Sequence, residues 1–134
     1  MKLLSTKYSA GAFNAGMLIL RVGLAVLMIP HGYDKLIQFS TYSKQFINFM
    51  GIGVNASLAL TIFAELLCPF LIGIGFLTRI AAFFAAFNMT VAVIKGHNGE
   101  IFGQGEHAAL YAIGFLAVMI MGPGRISVDA ALGK

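Results

Sequence analysis

The sequence predicts an all-α fold, a polytopic membrane protein built as a bundle of four transmembrane helices. Three observations predict this class: 59% of the residues are hydrophobic, only 10% are charged, and the apolar residues are gathered in long blocks. A soluble domain typically carries about 25% charged residues, so these few charges are too sparse for a water-facing surface. The length of 134 residues predicts a single domain over residues 1–134.

Four apolar blocks predict the four spans, at residues 13–33, 56–77, 80–94 and 108–122. A transmembrane helix needs about 20 residues, and the first two blocks reach that length unaided. The third and fourth reach it by including polar neighbours at the membrane interface: Thr78, Arg79 and Lys95 for the third, His107 and Pro123 for the fourth.

The basic residues predict the orientation of the spans. Lys2, Lys7, Arg79, Arg125 and Lys134 fall on one side of a four-span chain. The other side holds Lys35, Lys44 and Lys95 together with three acidic residues. The excess of basic residues on the first side predicts that both termini are cytoplasmic.

Charge and cysteine content exclude two classes of function. The net charge is +4, but the nine Lys and Arg residues are scattered singly between apolar blocks, so no nucleic-acid partner is expected. The single cysteine, Cys68, leaves no second thiol for a disulfide or a redox pair within the chain. A dithiol mechanism inside this chain is therefore excluded.

An ordered set of short motifs resembles the DoxX family of small four-helix membrane proteins. The set comprises residues 20–23 (LRVG), His31-Gly32 with Lys35, Glu65-Leu66, residues 75–79 (GFLTR), and residues 122–125 (GPGR) followed by Ser127 and Asp129. The resemblance covers nearly the whole chain. It implies a prokaryotic plasma-membrane protein, linked in some members to quinone-coupled oxidation of sulfur compounds and in others to complexes that handle oxidative and thiol stress.

A buried polar pair is expected at the centre of the bundle. At 1.5 Å rise per residue, Arg21 lies about 12 Å and Glu65 about 18 Å from the same membrane edge. An isolated charge at the bilayer centre costs roughly 2.5–3.5 kcal/mol, so these two are expected to face inward and pair, with Asn88 joining them by a hydrogen bond. Two interpretations remain open: a structural ion pair, or a carboxylate that binds a proton or a ligand.

A second polar cluster is expected at the outer face, where His31, Lys35, Glu106, His107 and Tyr111 come together. The cluster suits an amphipathic ligand such as a quinone, its head bound by imidazole or phenol and its tail near Phe102 and Phe115. The same residues also suit plain interfacial anchoring of helix ends. His97 and Glu100 share this face, but no His-x-x-x-His or Glu-x-x-His pair is present, so no metal is expected.

These patterns favour a membrane subunit of a redox system, which binds a quinone-like molecule or docks a soluble oxidoreductase. The sequence does not decide whether the chain is itself an enzyme. A non-catalytic anchor or assembly subunit is the alternative, since no cofactor motif is recognisable. A small transporter that forms a homo-oligomer is the weakest hypothesis, because each chain has one central acidic residue.

Overall fold

The first long helix starts close to the N-terminus. The computed structural model describes residues 4–44, 51–96 and 105–133, and in these ranges all regular structure is helical. α1 spans Ala10–Ile37, a few residues longer at each end than the predicted block. It begins at Ser9, whose hydroxyl accepts a hydrogen bond of 3.1 Å from the amide of Ala12, the usual way to satisfy an N-terminal amide.

The second long helical segment, Val54–Ile74, is interrupted by one π-helical turn. α3 (Val54–Ile62) leads into the π turn Phe63–Leu67, and α4 (Cys68–Ile74) follows. Proline has no N–H, so Pro69 cannot donate to the carbonyl of Glu65 four residues before it. The amide of Cys68 instead bonds to the carbonyl of Phe63, five residues back. The π turn thus lies beside a proline and contains Glu65.

The remaining helices are numbered in chain order with those above. They include two short helices outside the long segments and a second π-helical turn that follows Val91. Their bounds are Phe39–Ser43 for α2, Thr78–Val91 for α5, Ala92–Gly96 for the second π turn, Glu106–Met121 for α6, and Val128–Ala131 for α7.

The core is built largely from small side chains on α5. Ala81, Ala82 and Ala85 are at most 2% exposed, and α5 makes its broadest contact with α6. Small residues let two helix backbones approach closely. In a membrane, where the lipid is as apolar as the helix surface, such close packing is what holds helices together. Phe115 and Val118 of α6 are fully buried against this face.

α1 packs antiparallel on the second helical segment, in a register set by three close approaches. Gly32 lies against Glu65, Ala25 against Gly73, and Arg21 against Gly75. A Cβ atom built on Gly32 would be 2.6 Å from the carbonyl carbon of Glu65. The backbones touch here, so only glycine fits at position 32 in this register.

The turn between α4 and α5 is closed by the C-terminal segment. The carboxylate of Asp129 accepts hydrogen bonds from the amides of Leu77 (2.9 Å) and Thr78 (3.0 Å), while the amide of Asp129 donates to the carbonyl of Gly75 (2.8 Å). The carboxylate therefore caps the N-terminus of α5, where the helix dipole also favours a negative charge. Gly75 has φ +79°, and Leu77 also has a positive φ of 50°.

Candidate functional site

A cavity of about 420 Å³ opens between α1, the first π turn, the end of α5 and α6. Its volume falls within the range of small-molecule sites, roughly 300–1,000 Å³. The lining combines five polar or ionisable side chains with four apolar ones: His31, Lys35, Glu65, His107, Tyr111, Met28, Met89, Ala92 and Ala108. An amphipathic molecule meets both kinds of surface here.

Glu65 is the buried acid of this cavity. Its side chain is 6% exposed, and one carboxylate oxygen accepts a hydrogen bond of 2.6 Å from Lys35 Nζ while the other accepts one of 3.0 Å from Asn88 Nδ2. The π turn sets its direction, and the contact with Gly32 fixes its backbone against α1. π turns inside α-helices are found frequently at functional sites, so this geometry favours a functional role for Glu65.

Lys35 joins the buried acid to the mouth of the cavity. Its side chain is 17% exposed, and Nζ lies 5.9 Å from the centre of the Tyr42 ring, within the range of a cation–π contact. Tyr42, on α2, donates a hydrogen bond to Asp34 Oδ2, and Gln38 donates to Asp34 Oδ1 at 2.8 Å. The hydrogen bond to Asp34, with burial second, raises the pKa of Tyr42, because the bond requires the protonated phenol.

Two aromatic contacts form one wall of the cavity. The rings of His31 and Tyr111 meet edge to face with centres 6.2 Å apart, and Tyr111 stacks on Phe115 at the same distance. Because Phe115 is fully buried, it fixes the plane of Tyr111. The wall therefore presents an imidazole and a phenol, both able to donate a hydrogen bond to a carbonyl oxygen.

The expected pair of Arg21 with Glu65 is not formed. Arg21 is 1% exposed, but its guanidinium donates to the backbone carbonyls of Ile72 (3.5 Å) and Ile126 and lies near the charge of Asp129. In the antiparallel register Arg21 stands beside Gly75, and Glu65 stands beside Gly32, eleven residues further along α1. Eleven residues span about 16 Å, too far for the pair, whereas Lys35 is one turn from Gly32. The partners of Glu65 are Lys35 and Asn88.

The outer cluster is largely brought together. His31, Lys35, His107 and Tyr111 line the cavity with Glu65, whereas Glu106 is exposed at the start of α6 and does not line it. Phe115 supports the wall through Tyr111. His97, Glu100 and Phe102 lie outside the described residues.

Two local signals anticipate what sequence reasoning missed. Pro69, four residues after Glu65, indicates a disturbed helix at the acid. Lys35 lies fourteen residues after Arg21, about four turns, and so shares its face of α1. Which side chain pairs with Glu65 depends on how far α1 is displaced along its axis relative to Val54–Ile74. The lengths of the two apolar blocks do not specify this displacement.

Comparison with known proteins places the chain in a family. The sequence profile of the DoxX family matches residues 16–98, more than half of the chain. The chain belongs to the DoxX family. It is also similar to the protein named inner membrane protein YqjF of Escherichia coli (strain K12), at 30% identity over 128 residues, which cover 90% of this chain and 95% of the relative. No solved structure matches it.

The family assignment makes the chain a DoxX-family membrane protein. The matched range contains Arg21, Lys35, Glu65 and Asn88, while His107, Tyr111 and Asp129 follow it. Part of the motif set that suggested the family meets at the turn before α5, where the Arg21 side chain lies against Gly75 and the amide of Asp129 donates to the carbonyl of Gly75. In this DoxX chain these motifs therefore hold the turn between α4 and α5, while His31, Lys35 and Glu65 of the same motif set line the cavity.

Proposed function

We propose that this DoxX protein crosses the inner membrane four times, with both termini in the cytoplasm. Two helices, Ala10–Ile37 and Val54–Ile74, are long and apolar enough to cross, and only 22% and 39% of their most apolar windows are buried within the chain. A core helix of a soluble protein would be mostly buried. The shorter apolar helix α6 has 16 residues, about 24 Å, close to the hydrocarbon thickness of about 30 Å.

The orientation is tested by labelling single cysteines in intact cells with a membrane-impermeant maleimide. Cys68 is 1% exposed, so background labelling is low. We expect Lys44→Cys to react from outside and Ser5→Cys to react after permeabilisation only, because the basic residues favour a cytoplasmic N-terminus. Labelling of Ser5→Cys from outside, with Lys44→Cys protected, reverses the orientation.

We further propose that the chain is the quinone-binding membrane subunit of a redox system. The observation that carries this proposal is the cavity itself, where an ammonium, two imidazoles and a phenol surround apolar side chains at one end of the helices. These groups donate hydrogen bonds to carbonyl oxygens, while Met28 and Met89 offer soft apolar contact to a ring. Affinity would come mostly from apolar burial and orientation from the polar contacts.

The chemistry assigned to the chain's own residues is proton exchange beside a redox ligand. A bound quinone supplies the capacity to take up two electrons and two protons. His31 and Tyr111 orient its carbonyl oxygens, and the pair of Glu65 with Lys35 holds an exchangeable proton where the cavity meets its mouth. With one cysteine the chain has no internal dithiol, and in this proposal a soluble oxidoreductase docked on the membrane exchanges the electrons with the quinone.

Quinone titration of the purified protein tests this assignment. We expect His31→Ala and Tyr111→Phe each to weaken binding about fivefold, the effect of one lost neutral hydrogen bond. Tyr33→Phe is the matched control, because Tyr33 is 55% exposed on α1 and does not line the cavity. Equal titration curves for wild type and a folded double variant would exclude the cavity and favour a non-catalytic anchor.

A further inference from the structure

A second cleft lies on the other side of Asn88, between the segment 57–64 and α5. It has a volume of about 360 Å³, and its walls are almost wholly apolar. Phe63 meets Phe84 edge to face with centres 5.8 Å apart, and Phe83 stacks on Phe87 at 6.4 Å. A cavity of about 150 Å³ already takes a benzene molecule, so this cleft has room for a substituted aromatic ring between its phenylalanines.

Asn88 gives the cleft its one distinctive polar feature. A carboxylate only accepts hydrogen bonds, so the amide must turn its NH₂ group to Glu65, as the 3.0 Å bond from Nδ2 shows. The amide oxygen, Oδ1, is left without a hydrogen-bond donor in the described part of the chain. Thr61, also in the lining, already donates its hydroxyl hydrogen to the carbonyl of Ser57 at 3.1 Å. The cleft therefore offers acceptor oxygens to a ligand.

We propose that this cleft binds a hydroxyl-bearing aromatic molecule dissolved in the membrane, of the phenol or hydroquinone class. The ring packs among the phenylalanines, and the hydroxyl donates to Asn88 Oδ1. The four lining phenylalanines, at positions 63, 83, 84 and 87, are 39–51% exposed on the outside of the helices, so the cleft is entered from the lipid. The hydrogen-bonding preference is opposite to that of the donor-rich cavity, and the proposal does not depend on what that cavity binds.

The test uses the absence of tryptophan from the chain. Leu60→Trp places a single fluorophore in the cleft lining, and Ile113→Trp, 66% exposed on α6, is the matched reporter on a surface outside the cleft. Each is reconstituted in phosphatidylcholine nanodiscs and titrated with 4-bromophenol or its methyl ether 4-bromoanisole, whose bromine quenches indole fluorescence on contact. The pH is mildly acidic, so the phenol is neutral.

We expect the phenol to quench Leu60→Trp at roughly fivefold lower concentration than the ether, because only the phenol can donate to Asn88. The ratio of the two quenching concentrations at Ile113→Trp is divided out first, since it reports how the two compounds differ on a surface outside the cleft. In the double variant L60W/N88L this preference should disappear while quenching by the ether is retained. The proposal is overturned if the ratio of phenol to ether quenching is the same at Leu60→Trp and Ile113→Trp. It is also overturned if the preference for the phenol survives in L60W/N88L. Should N88L fail to fold, the comparison of the two reporters decides the matter alone.

Discussion

Replacing Gly75 by alanine is expected to destabilise the protein more than any other small change at this end of the fold. Gly75 has φ +79°, and a Cβ atom there would overlap the Arg21 guanidinium and Ser127 Cβ. A left-handed backbone costs an L-residue roughly 1–2 kcal/mol, and overpacking typically adds 1–3 kcal/mol, which gives about 2–5 kcal/mol in all. The clash would also displace Arg21 from its two backbone carbonyls.

Gly133→Ala is the matched control for this prediction. Gly133 has nearly the same backbone angle, φ +78°, but nothing lies within 4 Å of the position of a Cβ atom. It should lose only the conformational part, about 1–2 kcal/mol. Unfolding of both purified variants in detergent, followed by circular dichroism, separates strain from packing. Similar losses for the two variants would show that contact with Arg21 and Ser127 contributes nothing.

Gly32→Ala is expected to open the cavity by separating α1 from the first π turn. The added Cβ atom would lie 2.6–2.8 Å from backbone atoms of Glu65 and Leu66, which no side-chain rotation can relieve. Overpacking of this kind costs about 1–3 kcal/mol, and the shift would lengthen the 2.6 Å contact of Lys35 with Glu65. We therefore expect a lower melting temperature together with weaker quinone binding.

Gly23→Ala on the same helix should have the opposite sign. A Cβ atom at Gly23 meets nothing within 4 Å, and alanine is favoured over glycine in a helix interior by roughly 0.5–1 kcal/mol. Thermal melts and quinone titrations of the two variants form one experiment. If Gly32→Ala melts and binds like Gly23→Ala, the close approach of α1 to Glu65 is not a determinant of the site.

The helices themselves follow from local sequence. Apolar blocks gave the positions of the four long helical segments to within a few residues, because each block is too apolar to remain exposed to water and its backbone bonds are satisfied within one helix. The identity of the outer cluster was also predictable, since helix ends at one face must meet there. Four of its five proposed residues line the cavity.

The pairing of the buried charges was decided by the tertiary structure. Sequence depth estimates placed Arg21 and Glu65 at similar heights, but the contacts at Gly32 and Gly75 slide the two helices so that Glu65 reaches Lys35. Arg21 is held instead by carbonyls from distant parts of the chain, at Ile72 and Ile126. The local sequence predicts that a charged residue within an apolar block is buried, because exposing its charge to lipid is costly at any depth. It does not predict the partner of that charge, because the offset between the two helices, here eleven residues or about 16 Å from Arg21 to the position beside Glu65, decides which side chain reaches the acid.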